Sequence, residues 1–390
     1  MRGVKVLFEV KLSDKELCPC GSGKLYADCC KGIELRIPEQ TKKPAEVLLM
    51  ERMRKSMRKC CLHPDKANCK KTIKHAHALQ NNKIMSVLGG QERHVYLLDS
   101  KKKPLLVPME GGEMLPMVEV SKVSVNDATT ETCFCEIHDT KAFEIIEAGA
   151  PAFDPSNEKM KFVYAYKAFI FEYYKQSISW EIFQACFKEN PAAFTDKKMV
   201  AMYRMIQLKK QEFEPIKKHF DDEIMAGTYN GVYTCAVKLN MPIKFADYAY
   251  VAPSFDLNGN RIKHTQKGIM HRIAITVFPE EQHSWILISC LETEYKIYKK
   301  FFEQLAASSE DKVKFYFNMI LPLISENVVL SPDIWNTWDA ELKMAYTVYA
   351  NSNGPDAMRM EMAIGFGLKN AAKSKNVDVY KNQPKMNLFL

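Results

Sequence analysis

The stretch from Cys18 to Cys30 reads Cys-Pro-Cys-Gly-Ser-Gly-Lys-Leu-Tyr-Ala-Asp-Cys-Cys and carries four thiols in two tight pairs. Eight residues separate Cys20 from Cys29, and the glycines and serine among them favour a turn that folds one pair back onto the other. A closed tetrahedral zinc site requires four soft donors that converge on one point. The stretch therefore predicts a zinc site near the start of the chain.

This stretch resembles the SEC-C motif, in which Cys-x-Cys is followed by Gly-Ser-Gly-Lys and then by Cys-Cys or Cys-His. The resemblance covers residues 16–31 and implies that one structural zinc is bound by Cys18, Cys20, Cys29 and Cys30. In the motor ATPase of bacterial protein export, a similar C-terminal tail docks a chaperone. Here the motif is N-terminal and a large unrelated body follows it, so that particular partner does not carry over.

Two alternatives exist for the cysteine stretch. A pair of disulfides needs an oxidising compartment, and residues 1–6 lack the long apolar core of a secretory signal. A phosphate-binding loop is the other alternative, but residues 21–24 are shorter than that loop and follow no predicted strand. Twelve cysteines without an export signal point to reduced thiols and metal, and no run of eighteen apolar residues occurs. We therefore expect a cytoplasmic protein without membrane contact.

Composition places most of the chain in folded, globular structure. The 390 residues are 47% hydrophobic and 26% charged, enough for two domains or one elaborated domain. The formal net charge is +8, and residues 41–75 alone hold eleven basic and three acidic residues, so this window carries the whole excess. A localised basic patch favours a polyanion partner such as nucleic acid. The alternative is a solvated face of an amphipathic helix predicted for residues 44–58. The nucleic-acid-binding candidates are Arg52, Lys55, Lys59, Lys70, Lys71 and Lys74.

A second group of cysteines and histidines follows the basic window. Cys69 lies eight residues after Cys61, and much later Cys-Phe-Cys-Glu-Ile-His-Asp places His138 three residues after Cys135, before a predicted helix at 139–148. A cysteine pair from a knuckle, joined to Cys-x-x-His at a helix start, resembles a treble-clef zinc site. The predicted ligands are Cys61, Cys69, Cys135 and His138, with Cys60, His63 and Cys133 as substitutes. Alternatively, these cysteines are small buried hydrophobic residues.

Residues 74–77 and 94–98 are predicted to pair as a hairpin between the two halves of this module. The order of these elements resembles that of the HNH, or ββα-metal, nucleases: a knuckle, a strand with histidines, a second strand and a zinc-anchored helix. The resemblance implies His77 as general base and His75 or Asp139 as ligand of a catalytic Mg²⁺ or Mn²⁺. The predicted helix offers no His or Asn, and Lys74-His75 stands where the family has Asp-His. Both histidines have two alternative roles, as zinc ligands or as packed core residues.

The remaining residues predict an α+β body. Apolar residues at helical spacing predict a long aromatic helix at 157–176, a short helix at 179–189 and a helix at 196–222 that Pro215 bends or divides. The period then changes to two, and four strands are predicted at 232–239, 245–251, 270–278 and 284–291. Helices return between 294 and 368.

The predicted fold class is therefore α+β, with an N-terminal zinc motif, a treble-clef-like zinc module, a helical segment and a four-stranded antiparallel sheet covered by helices. The predicted domains are 1–36 (SEC-C zinc motif), 37–150 (basic helix and zinc module) and 151–390 (body: helices 157–226, sheet 229–291, helices 294–368).

Two functional hypotheses follow. The first is a metal-dependent nuclease or other nucleic-acid-processing protein, acting in defence against mobile DNA, which the basic patch beside a histidine strand favours. The second is a non-catalytic zinc adaptor that docks a protein partner through residues 16–31, which the missing helix His or Asn favours. The order of the body resembles uncharacterised bacterial proteins that carry a Phe-Cys-x-x-His-Asp segment, and this implies a bacterial source but no activity.

Overall fold

The computed structural model describes residues 11–31, 59–70, 72–108, 114–147, 149–189, 195–266, 268–374 and 377–390. The helix predicted at 44–58 lies outside the described residues. The structure mixes helices with antiparallel sheet. Within the described part of the chain, no helix is both long enough and apolar enough to cross a bilayer.

The strands occupy two regions of the chain. The first six are β1 (Ile73–His77), β2 (His94–Leu98), β3 (Leu105–Pro108), β4 (Met114–Met117), β5 (Val120–Ser124) and β6 (Thr130–Cys135). The others are β7 (Val232–Leu239), β8 (Phe245–Val251), β9 (Thr265–Gln266), β10 (Ile269–Met270), β11 (Ile273–Pro279), β12 (Ser284–Leu291) and β13 (Val329–Leu330).

The large sheet has seven strands in the order β5-β2-β13-β8-β11-β12-β7, not the four that the sequence predicted. The four predicted strands form one side of it as β8, β11, β12 and β7. The other three strands join because β13, only two residues long, pairs with β8 through Val329 and Leu330 and with β2 through Leu330. Since Tyr96 of β2 pairs with Leu330, two strands from the N-terminal half extend the sheet.

The hairpin predicted between residues 74–77 and 94–98 does not form. Strand β1 pairs with β6 in a separate two-stranded sheet, whereas β2 pairs with β5 and β13. The strand that carries His75 and His77 therefore lies against the strand that ends at Cys135.

The helices are α1 (Ser86–Gly89), α2 (Glu136–Phe143), α3 (Glu158–Glu189), α4 (Lys197–Ala226), α5 (Tyr295–Ala307), α6 (Glu310–Ile324), α7 (Pro332–Trp335), α8 (Ala340–Ala350) and α9 (Gly354–Lys373). The predicted break between helices at 176 and 179 is wrong, because α3 runs without interruption. Pro215 likewise lies inside the continuous helix α4 and does not divide it. Short turns of π or 3₁₀ helix occupy Asn81–Met85, Gly90–Glu92, Glu292–Glu294 and Val377–Tyr380.

Apolar side chains cover both faces of the large sheet. Successive residues of a strand point to opposite faces, so a sheet buried on both sides has nearly continuous apolar strands. On one face, Ile275 and Ile286 share a core with Phe301 of α5 and Phe317 of α6. On the other, the ring of Tyr250 packs against Phe169 of α3 at 5.1 Å. This two-sided packing explains why β11 and β12 contain almost only buried residues.

The chain divides into two compact units. The first unit comprises residues 1–59 and 173–219, and the second comprises 60–172 and 220–390. The cysteine stretch at 18–30 belongs to the first unit, and the large sheet with the second cysteine group belongs to the second unit. Two of the boundaries fall within α3 and α4, and the third lies between residues 59 and 60.

Candidate metal centres

In the first unit, a short turn brings the two cysteine pairs together. An antiparallel bridge joins Leu17 to Leu25, and the Cys18 amide donates to the carbonyl of Lys24 at 2.8 Å. Gly21 has φ of 77°, a left-handed conformation that favours glycine, and its amide donates to the carbonyl of Cys18. The backbone therefore forms a knuckle that presents thiols from both ends of the stretch.

The four thiols of this knuckle form a compact group that we call centre 1. Its members are Cys18, Cys20, Cys29 and Cys30, and their sulfur atoms all lie within 4.8 Å of one another. The Cys29 sulfur lies 3.6 Å from that of Cys20 and 3.7 Å from that of Cys30. Sulfur atoms at the corners of a zinc tetrahedron with bonds of about 2.3 Å lie about 3.8 Å apart. The observed spacing fits such an ion.

The electrostatics of centre 1 call for a cation. Burial raises the pKa of the Cys18 thiol to about 11. Burial opposes ionisation of Cys20 too, but hydrogen bonds from Ser22 and Cys18 outweigh it and lower its pKa to about 7. Thiols this close together are all ionised at neutral pH only when a strong positive charge lies between them. A divalent ion that prefers sulfur would supply that charge.

Two helices hold centre 1 in place within the first unit. Cys18 is buried against Phe183 and Phe187 of α3 and Tyr203 of α4. Arg204 of α4 binds the carboxylate of Glu16 through both terminal nitrogens, and its Nη2 lies 2.7 Å from Oε1. The knuckle is therefore packed and charge-paired onto helices that are distant from it in sequence.

In the second unit, a second group that we call centre 2 forms from residues far apart in the chain. Its members are Cys61, Cys69, Cys135 and His138, and one ligand atom from each lies within 4.8 Å of the others. His138 Nδ1 lies 3.4 Å from the Cys61 sulfur and 3.3 Å from the Cys135 sulfur. Bonds of about 2.3 Å to sulfur and 2.0–2.1 Å to nitrogen give a tetrahedral S···N edge of about 3.6 Å. Three thiols and one imidazole at this spacing also fit zinc.

Strand β6 and helix α2 set the geometry of centre 2. Cys135 ends β6 and occupies the N-cap position of α2, so His138 comes about one turn later, and it is buried. The segment that carries Cys61 pairs with β6, because the Leu62 amide donates to the carbonyl of Cys133 at 2.9 Å. Burial raises the pKa of Cys69 to about 12, so this thiol also needs a nearby cation to ionise.

Residues around His138 orient its ring. The His63 ring stacks on it at 4.0 Å with an interplanar angle of 7°. Asp65 Oδ2 lies 3.9 Å from His138 Nε2, on the side away from the thiols. Metal-binding histidines usually have a polar group at the second nitrogen, which fixes the tautomer. Sequence reasoning named His63 only as a substitute ligand and missed Asp65, because neither position has a ligand spacing of its own.

The predicted substitutes do not join either centre. In the part of the chain that the structure describes, Cys60, His63 and Cys133 fall outside both candidate metal centres. Cys133 is fully buried, which is the alternative that the sequence left open for these cysteines. Both four-residue groups are consistent with zinc.

The three candidate catalytic residues do not come together at a centre. His75 is exposed on β1, and none of His75, His77 and Asp139 belongs to a metal-binding group among the described residues. The His77 Nε2 atom is buried without a hydrogen-bond partner, and burial followed by the charge of Lys167 lowers its pKa. Burial raises the pKa of Asp139, which lies near the ion pair of Lys167 and Glu147. His77 and Asp139 are therefore partly buried near this ion pair, whereas His75 is not.

The nucleic-acid candidates lie only partly within the described structure. Arg52, Lys55 and Lys71 fall outside the described residues. Lys59 and Lys70 are exposed, whereas Lys74 forms an ion pair with Glu136 at 3.0 Å.

The match to known proteins is confined to the knuckle of centre 1. No curated protein and no solved structure matched the chain. A family model did match at residues 15–31, which include all four thiols of centre 1. Residues 15–31 are therefore a match to the SEC-C motif, as their sequence indicated.

Proposed function

We propose that this protein binds two structural zinc ions and acts as a non-catalytic adaptor that docks a protein through the knuckle of centre 1. The observation that carries this proposal is the ligand count: each centre already offers four protein donors. Catalytic zinc sites usually have three protein ligands and leave a position for water or substrate, whereas structural sites are closed. Zinc at either centre therefore stabilises the fold and leaves recognition to the surface.

The surface of the knuckle supports docking. Leu17 and Leu25 pair across the bridge beside centre 1, with 62% and 41% of their surface exposed. Two adjacent exposed leucines on a metal-braced turn form a small, rigid apolar contact, which suits a protein partner. Lys15, Lys24 and Lys31 belong to the same short segment, and Lys24 is exposed. Asp14, Glu16 and Asp28 in the same segment balance these lysines, so a largely apolar protein surface would complement this face.

Nucleic-acid binding is the second candidate, and the charge of residues 41–75 favours it. Lys70 is exposed next to Cys69 of centre 2, and Lys66 reaches back to the Cys61 carbonyl at 2.6 Å. These lysines could contact phosphate without catalysis. The nuclease hypothesis ranks lower, because β1 does not pair with β2 and the Nε2 of its proposed base, His77, is buried.

The experiment begins with zinc content, for which the proposal requires two ions per chain. Partner capture then compares the wild type with Leu17→Ser and Leu25→Ser, and Met358→Ser serves as a control for loss of an exposed apolar side chain elsewhere. Specific loss in the two knuckle variants, with zinc retained, supports the adaptor. Equal capture by all variants contradicts it.

A parallel measurement separates the second candidate. Binding to single- and double-stranded DNA and to RNA is followed at increasing salt, with Lys70→Met and Lys66→Met compared with Lys299→Met on α5. Binding that weakens steeply with salt and falls in the first two variants supports a nucleic-acid role. Hydrolysis lost on His77→Ala with zinc retained would revive the nuclease hypothesis.

A further inference from the structure

Helix α9 carries an exposed apolar stripe on its outer face. Met358, Met362 and Phe366 follow one another at steps of four residues, and 64%, 60% and 68% of their surfaces are exposed. Residues four apart on a helix lie on the same face. Single exposed apolar side chains are common, but a contiguous group of them marks an interaction surface. The stripe is therefore suited to contact another molecule.

The opposite face of α9 holds the helix against the second unit. Ile364 is buried in the core that covers one face of the large sheet. Glu361 accepts hydrogen bonds from the amide and the hydroxyl of Ser254, both at 2.7 Å. Gly365 packs so closely on Phe255 that an added Cβ would lie 2.6 Å from its ring. A firmly packed helix presents the stripe, which lowers the entropic cost of docking.

Helix α8 carries a second, shorter stripe. Met344 and Val348 also lie four residues apart, and 58% and 44% of their surfaces are exposed. Both α8 and α9 contact α6, and the three residues between them include Ser352, whose hydroxyl lies 3.0 Å from the Val348 carbonyl and 3.3 Å from the sulfur of Met360. The end of the α8 stripe is therefore close to the start of the α9 stripe. We call these five exposed side chains the α8–α9 surface.

The two stripes carry opposite charges at their far ends. Glu341 is exposed at the start of α8, and Lys369 and Lys373 are exposed at the end of α9. Arg359, in contrast, already pairs with Asp356 at 3.2 Å. Within the described part of the chain, no ion pair engages the glutamate or the two lysines. The surface therefore has an apolar centre, one acidic end and one basic end, and such a surface is complementary to itself.

We propose that a second copy of this chain covers the α8–α9 surface, with α8 of each protomer lying antiparallel along α9 of its partner. Val348 then faces the partner's Met358. Four residues further along both helices, Met344 faces the partner's Met362. Two-fold symmetry repeats this contact and closes the assembly as a dimer. The surface shares no residue with the knuckle or with either metal centre, so the dimer stands independently of the adaptor proposal.

The charged ends come together in the same arrangement. Side chains on a helix lean toward its N-terminus. The partner's Lys369 therefore leans back along its stripe, and Glu341 leans away from Met344 toward that lysine. An exposed ion pair contributes little affinity, but it favours one direction of the helices over the other. Parallel helices would place Glu341 beside the start of α9, far from both lysines.

Sedimentation of the zinc-loaded full chain tests the proposal. Five side chains form a small interface beside the roughly 800 Å² per partner of a standard stable complex, so we expect a weak dimer. Between about 1 and 200 µM protein, the average mass should rise from that of one chain toward that of two and stop there. A mass that stays at one chain throughout would mean that something else covers the surface, and it overturns the proposal. Growth beyond two chains also overturns it.

Surface variants show whether the dimer uses these stripes. Met344→Ser and Met362→Ser should each weaken self-association by about tenfold or more, because each removes an apolar contact that occurs twice in the dimer. Met205→Ser on α4, where the methionine is 58% exposed, is the matched control and should leave the dissociation constant unchanged. All three variants should keep the melting temperature within a few degrees, since the side chains are exposed. Unchanged association in the first two variants, or equal weakening in the control, contradicts the proposal.

A mixing experiment tests the antiparallel arrangement. Glu341→Lys and Lys369→Glu should each weaken self-association by about threefold or more, because like charges then meet at both contacts. An equal mixture of the two variants should associate as tightly as the wild type. In the mixed dimer one contact has its charges exchanged and the other is native, so both pairs are again opposite. A mixture that associates no more tightly than the separate variants overturns this arrangement.

Discussion

Cys61 Sγ lies 3.4 Å from His138 Nδ1, although the two residues are 77 positions apart in the chain. Between them lie β1, two strands of the large sheet and β6. An ion at centre 2 would therefore join the two ends of a long loop, Cys61 and His138. No covalent bond links these two residues otherwise. Closing such a loop in the unfolded chain is entropically costly, so the binding free energy of the metal contributes directly to folding.

Removing one thiol of centre 2 should release one of two zinc ions. In Cys135→Ser we expect zinc content to fall from two per chain to one, and the free energy of unfolding to fall by about 3 kcal/mol or more, because structural zinc binding is coupled to folding. Metal analysis and denaturant unfolding measure the two effects.

The matched control is Cys133→Ser, two residues earlier on the same strand. Cys133 is also fully buried but lies outside the metal-binding group. This variant should keep both ions and lose only about 1–3 kcal/mol, the cost of placing a hydroxyl in an apolar site. Equal zinc loss in both variants would contradict the ligand set.

Centre 1 offers an analogous pair in the first unit. Cys20→Ser should lose one zinc ion and loosen the knuckle, because Cys20 is one of its four clustered thiols. Cys186→Ser, a buried thiol of α3 that packs near Cys18 without joining the cluster, should keep both ions. Retention of two ions in Cys20→Ser would argue against tetrahedral binding at this centre.

The sequence predicted those parts of the fold that depend on local patterns. Strands β7, β8, β11 and β12 lie close to the predicted bounds, because each has an alternating or continuous apolar run of seven or eight residues. The extra width of the sheet was not predictable in this way. Val329 and Leu330 are too short a strand to show any period, yet their pairing on both sides joins β2 and β5 to the body.

The pairing partners of the strands were the other feature that the sequence did not predict correctly. His94–Leu98 was expected as a strand and is one, but its partner is Val120–Ser124 and not the histidine strand. Nothing in residues 94–98 distinguishes these partners locally, because the choice is made by tertiary packing. The two cysteine groups could be recognised in the sequence because metal ligation imposes short spacings between neighbouring ligands. The contact of His271 with Glu294 could not, since a hairpin and a helix start bring them together without a motif.

The pair of Arg204 and Glu16 tests how the knuckle is held within the first unit. Both side chains are mostly buried, at 17% and 14% exposed. Arg204→Met should destabilise the first unit by about 1–3 kcal/mol, between the values for surface and fully buried ion pairs. Zinc should be lost from centre 1 at lower chelator concentration, with centre 2 unchanged.

A double-mutant cycle with Glu16→Gln isolates the pair. If the two groups act mainly on each other, the double variant should be little worse than either single variant. Strictly additive losses would show that Arg204 and Glu16 contribute separately.

Two glycines with the same backbone conformation allow the cost of backbone strain to be distinguished from the cost of steric crowding by a new side chain. Gly227 and Gly259 both have φ of 69°, where any L-residue is strained. A Cβ at Gly227 would meet nothing within 4 Å, whereas a Cβ at Gly259 would lie 2.2 Å from the carbonyl oxygen of Gly365 and 2.5 Å from the amide nitrogen of Lys369. We therefore expect Gly227→Ala to cost about 1 kcal/mol and Gly259→Ala about 3 kcal/mol or more.

Denaturant unfolding of the two alanine variants measures this difference. The obstructing atoms at Gly259 are backbone atoms of α9, so they cannot be relieved by turning a side chain, and the loop at 256–260 or the helix must move. Hydrogen exchange should then show faster exchange in α9 for Gly259→Ala but not for Gly227→Ala. Equal losses of unfolding free energy in both variants would mean that α9 shifts with little cost. The close approach of Gly259 to that helix would then not stabilise the second unit.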